Sequence, residues 1–148
     1  AAAAAAPSAS AEELREKGNN HFRQGKYSMA VRAYSEALEQ HGSDPKVWAN
    51  RAAAQMEMLK EFGKRQSPAE IKANPYYQNA MSDLEKSLSL DTTYVKAWAR
   101  KGQLLCMASE IQQAMVAYER GLRVDPQSAD CCAGKSSLEK WMASQGKA

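Results

Sequence analysis

Histidine is nearly absent from this 148-residue chain, which has only His21 and His41. Its three cysteines are Cys106, Cys131 and Cys132. An odd count that includes an adjacent pair makes a poor disulfide framework, and no Cys-x-x-Cys pair supplies the usual zinc spacing. All three thiols are expected to be reduced, which points to the cytoplasm or the nucleus, the cytoplasm being preferred for want of a targeting segment. Long apolar runs are missing too. None approaches the ~20 residues that span a bilayer. The start, Ala1 to Ala6 followed by Pro7, has no basic region, so it reads as an Ala-rich tail or linker over 1–10 and not as a signal peptide.

Catalytic motifs are lacking as well. There is no Gly-x-Gly-x-x-Gly, no Gly-x-x-x-x-Gly-Lys and no Gly-x-Ser-x-Gly. The two histidines have no evident triad partners, and carboxylates such as Glu12, Glu13 and Glu85 read as solvated helix faces. The expectation is a protein that is no enzyme and needs no cofactor. A net charge of +3 neither demands nucleic acid nor excludes an acidic ligand. With 44% hydrophobic residues, the chain has enough apolar mass for one compact domain.

What is present is periodicity. Leu14, Trp48 and Trp98 are each followed four places on by a small residue, Gly18, Ala52 or Gly102. Further on, Ala30-Tyr34-Ala37, Ala80-Leu84-Ser87 and Ala114-Tyr118-Gly121 recur in the same phase. Turns at Gly42-Ser43-Asp44, Asp91-Thr92-Thr93 and Asp125-Pro126 close the units. This pattern resembles the tetratricopeptide repeat, a helix–turn–helix unit of about 34 residues. The units are drawn at 11–44, 45–94 and 95–128, followed by a capping helix at 128–145. The middle unit carries an insertion near 61–74. Helices are predicted near 11–24, 27–41, 45–61, 75–90, 94–108, 110–124 and 128–145. Capping boxes at Ser10–Glu13 and Ser67–Glu70, and Asp44-Pro45, support these starts. Ser109 precedes the helix at 110. The second capping box allows a short helical turn inside the insertion, which reads as a tolerated surface loop; the alternative is a contact surface involving Phe62, Tyr76 and Tyr77. The resemblance implies an all-α fold of three repeats plus a C-terminal helix in a short right-handed superhelix. The small residues let helices approach, and Tyr34, Leu84, Tyr118, Trp48 and Trp98 fill the gaps.

In such an array the first helices line the concave side. There Arg15 and Asn19 share a helix face, Asn50 lies on the next first helix, and Lys96 and Arg100 share a face of the third. Three cations and two amides, with no acid between them, suit a ligand with two adjacent carboxylates, such as a C-terminal aspartate. The set resembles the carboxylate clamp of chaperone-binding tetratricopeptide domains such as those of Hop, the heat-shock organising co-chaperone. That clamp reads lysine, asparagine, asparagine, lysine, arginine; here Arg15 replaces the first lysine. Lys17-Gly18-Asn19-Asn20 and Asn50-Arg51-Ala52-Ala53 add to the likeness. The resemblance implies a partner, the Glu-Glu-Val-Asp terminus of a seventy- or ninety-kilodalton heat-shock chaperone, with neither nucleic acid nor membrane involved. Phe22, Ala53 and Met56 are placed around the valine, and Gln103 adds a polar contact. The rival readings are a generic scaffold that binds an internal peptide, and the targeting domain of a larger enzyme.

Overall fold

The computed structural model describes residues 9–146, so the alanine-rich stretch 1–8 lies outside the described residues. Eight helices follow one another among them: α1 (Ala11–Arg23), α2 (Tyr27–Gln40), α3 (Pro45–Gly63), α4 (Pro68–Ala73), α5 (Pro75–Leu90), α6 (Val95–Met107), α7 (Ile111–Val124) and α8 (Ala129–Gln145). None of them is long and apolar enough to cross a membrane. Three antiparallel hairpins, α1–α2, α3–α5 and α6–α7, stack in chain order, and α8 packs on the last of them.

Local chemistry sets the boundaries. Ser10 and Glu13 form a reciprocal capping box at α1, and Ser67 and Glu70 repeat it at α4. The Asp44 carboxylate accepts from the Lys46 N–H ahead of Pro45, and Asn74 does the same for Tyr76 ahead of Pro75. Each cap satisfies donors that the first helical turn cannot. The turn at Ser67 thus grows into the separate helix α4, held to α5 by buried Ile71. The Lys72 ammonium pairs with Glu110 at 2.7 Å and ties the insertion to the α6–α7 turn. Phe62 stacks on Tyr76, 5.8 Å between ring centroids, whereas Tyr77 turns into the core and leaves the expected contact surface.

The start of α7 differs from the sequence expectation. The helix begins at Ile111, and neither Ser109 nor Glu110 provides a side-chain cap. The α6–α7 turn copies the α1–α2 turn instead. The Lys26 N–H donates to His21 and the Glu110 N–H to Leu105, both at 2.9 Å. The central residue of each turn is left-handed: Gly25 at φ 75° and Ser109 at φ 58°. A Cβ in that region costs roughly 1–2 kcal/mol. Ser109→Gly is therefore expected to stabilise the fold by about 1 kcal/mol, seen as a higher urea midpoint at unchanged m-value.

Close approach within the hairpins depends on glycine. A Cβ on Gly18 would lie 2.5 Å from the Tyr34 ring, and one on Gly102 2.5 Å from the Tyr118 ring. The Tyr118 ring also presses on Gly134 of α8, so it joins the last hairpin to the closing helix. Trp48 and Trp98 each donate the indole N–H to a carbonyl six residues back, Gly42 and Thr92, at 2.8 Å. These large side chains hold the units together.

Candidate functional site

One small cavity, of about 120 Å³, collects side chains from all three hairpins: Asn19, Phe22 and Arg23 of α1, Tyr34 of α2, Asn50 and Ala53 of α3, and Arg100 of α6. A chain of hydrogen bonds crosses it. The Arg100 guanidinium donates to Asn50 Oδ1 at 3.2 Å, and Asn50 Nδ2 donates to Asn19 Oδ1 at 3.3 Å. The Tyr34 hydroxyl donates to the same Asn19 oxygen at 2.6 Å.

This wiring fixes the polarity of the site. Both amide oxygens are engaged, so each asparagine must present its nitrogen side to the cavity. Asn19 Nδ2 donates to no group among the described residues. Two guanidinium groups line the walls and no carboxylate does. The cavity thus holds more donors than acceptors, its two amide oxygens being already engaged, which complements a carboxylate. Burial holds the Arg100 guanidinium below its usual range, countered by the nearby Tyr94 and Tyr34 phenols and Asp130. Burial likewise pushes the Tyr34 phenol up to about 12 despite the arginines beside it, so Tyr34 stays a neutral donor.

The sequence-predicted residues divide into two groups. Asn19, Phe22, Asn50, Ala53 and Arg100 meet in the cavity. Phe22 is half-buried and packs edge-to-face on Tyr27 at 5.3 Å. Lys96 lies one turn before Arg100 on α6, exposed and without an ion pair among the described residues. The other three are elsewhere. Arg15 pairs with Glu12 at 2.9 Å and lines a separate hollow with Asp44 and Lys46. Met56 is 3% exposed, withdrawn into the core with Leu59, Ala80 and Leu84, so it cannot touch a ligand in this conformation. Gln103 borders a separate hollow with Cys106, Tyr118 and Asp130. The sequence reading missed two cavity residues, Arg23 and Tyr34. Arg23 stands four residues after Asn19 on α1, so the i, i+4 rule that paired Arg15 with Asn19 would have found it.

The tetratricopeptide repeat model matches residues 11–44, and the hairpin stack extends the same pattern along the chain. Residues 11–44 thus carry a tetratricopeptide repeat. The chain is 34% identical to Hsp70-Hsp90 organizing protein 2 of Arabidopsis thaliana over 83% of its own length and 19% of that relative. It is also 34% identical to the Hsp70-Hsp90 organizing protein of Triticum aestivum, over 84% of this chain and 19% of that one. The chain thus spans about a fifth of the length of these curated relatives. Among solved structures, the first tetratricopeptide domain of Spaghetti (RPAP3) bound to the HSP90 peptide SRMEEVD superposes with a TM-score of 0.75 at 26% identity. That match covers 90% of this chain and 95% of the other.

Proposed function

We propose that this domain is a co-chaperone-type adaptor that holds the C-terminal Glu-Glu-Val-Asp peptide of a cytosolic heat-shock chaperone in its concave groove. The observation that carries this reading is the acid-free cavity in which both asparagine oxygens are already bonded, leaving amide and guanidinium donors for an incoming carboxylate. In this reading Asn19 and Asn50 donate to the terminal carboxylates and Arg100 supplies the charge. Lys96 and Arg23 close over the ligand from either side, and the valine rests against Phe22 and Ala53. Arg15 joins by exchanging its exposed partner Glu12 for the ligand, a small loss because such i, i+3 surface pairs contribute little. The likeness to Hsp70-Hsp90 organizing proteins and to a domain solved with an HSP90 peptide supports the choice of partner. Three free thiols suit a reducing cytoplasm.

The test is calorimetric titration with Met-Glu-Glu-Val-Asp as the free acid and as the C-terminal amide. The acid is expected to bind with a micromolar dissociation constant, about −8 kcal/mol, and to weaken with added salt. The amide removes one carboxylate and leaves buried donors unpaired, so binding should be lost. Equal affinity for the two forms would refute a clamp on the free terminus.

A further inference from the structure

A second recess, unrelated to the peptide cavity, opens between α6 and α7. Its meaning emerges when two repeats are laid over each other. Trp48 of α3 and Trp98 of α6 occupy equivalent places, with the same six-residue indole hydrogen bond. Three residues on, each ring carries a cation above it: Arg51 at 5.1 Å and Lys101 at 5.7 Å. In the middle repeat α5 answers that cation with a carboxylate. Arg51 donates to both oxygens of Asp83, at 2.8 and 2.7 Å, and to Ser35 at 3.0 Å, and Asp83 is buried.

The third repeat lacks the answer. With Ala80 and Leu84 in phase with Ala114 and Tyr118, the place of Asp83 falls to Ala117. Arg120, in phase with Lys86, lies over the Trp98 ring as well, 5.4 Å from its centre. What remains is a hollow of about 250 Å³ between Lys101 and Arg120, with Leu105, Val116 and Ala117 as apolar wall. No carboxylate lines it, and neither cation has an ion pair among the described residues. Val116 is 51% exposed, an apolar side chain left at the rim. The recess shares no residue with the cavity around Asn19 and Asn50.

We infer that this recess is a second docking site, which takes an internal acidic–aliphatic segment of a partner protein. An aspartate or glutamate carboxylate bridges Lys101 and Arg120, and a neighbouring leucine, isoleucine or valine lies on Leu105, Val116 and Ala117. The incoming carboxylate completes from outside what Asp83 completes from within one repeat earlier. The indole face holds both cations near their bonding positions before the ligand arrives, which lowers the ordering cost of capture. A free C-terminus is not required, so the site works independently of the clamp reading.

The experiment uses the ¹⁵N-labelled domain and the blocked peptide acetyl-Ser-Leu-Asp-Ile-Gly-amide, whose amide end cannot engage a carboxylate clamp. The expected result is saturable shifts at the Trp98 indole and at the amides of Leu105, Val116 and Ala117. Replacing the peptide's aspartate by asparagine should weaken binding at least tenfold, the scale of one charge-assisted bond. Ala117→Asp should close the site by pairing with Lys101. Arg120→Ala, at an exposed position, is the safer variant should Ala117→Asp fold poorly, and it too should remove the shifts. Absence of shifts at millimolar peptide, equal response to the asparagine peptide, or shifts confined to Asn19, Asn50 and Arg100 would overturn the assignment.

Discussion

Arg100→Ala is expected to weaken binding of a Glu-Glu-Val-Asp peptide about a hundredfold while leaving the domain as stable as before. The binding loss follows from one charge-assisted interaction, roughly 1.5–3 kcal/mol, at 1.4 kcal/mol per tenfold. The unchanged stability follows from where the charge sits. Burial works against the Arg100 guanidinium, and its one direct bond is to a neutral amide, Asn50 Oδ1. A partly buried cation without a paired anion contributes little to folding, and its removal relieves desolvation as well as breaking a bond. Titration of the variant with the free-acid peptide, beside a thermal melt, checks both halves. Undiminished affinity would remove Arg100 from the site. A collapsed melting temperature would mean that it serves the fold.

Gly18→Ala should do the reverse and damage fold and site together. The new methyl would meet the Tyr34 ring at 2.5 Å, and that ring is 1% exposed with nowhere to go. Overpacking of this kind costs typically 1–3 kcal/mol. Displacing the ring also withdraws the Tyr34 hydroxyl from Asn19 Oδ1, so the amide loses the contact that sets its orientation. Affinity should fall at least tenfold even at temperatures where the variant remains folded. Gly102→Ala is the control. It crowds Tyr118 at the same 2.5 Å and should destabilise to a similar extent, but Tyr118 does not line the cavity, so affinity should hold. Equal loss of affinity in both variants would show that the effect is general loosening rather than the Tyr34–Asn19 bond.

The helices were largely legible because most of them start with a residue whose side chain caps the first turn. Ser10, Asp44, Ser67 and Asn74 announce α1, α3, α4 and α5 through oxygens that accept from the first turn. The start of α7 was placed to within one residue, but its cap was not legible, because the turn is closed by main-chain bonds and a left-handed Ser109, which leave no side-chain signature. Within the site, helical spacing together with the register of the repeats brought Asn19, Asn50 and Arg100, one from each first helix, into one group. It could not foresee that Glu12 and Glu16 would hold Arg15 locally, since competition among exposed charges is settled by side-chain rotation. Met56 was misplaced for a related reason: one face of α3 borders both groove and core, and a shift of one residue moves a side chain between them. Tyr34 was correctly read as packing, but that reading hid the role of its hydroxyl, whose partner lies fifteen residues away on another helix.

The bonds from Arg100 to Asn50 to Asn19 link α6, α3 and α1, the first helices of three successive hairpins. They therefore measure the pitch of the coil. A change in the twist of the stack acts on these donors and acceptors directly. In a domain that holds a peptide as proposed, grip and curvature are then coupled: a pull that straightens the coil acts on the bonds that orient the amide donors, and a bound peptide resists it.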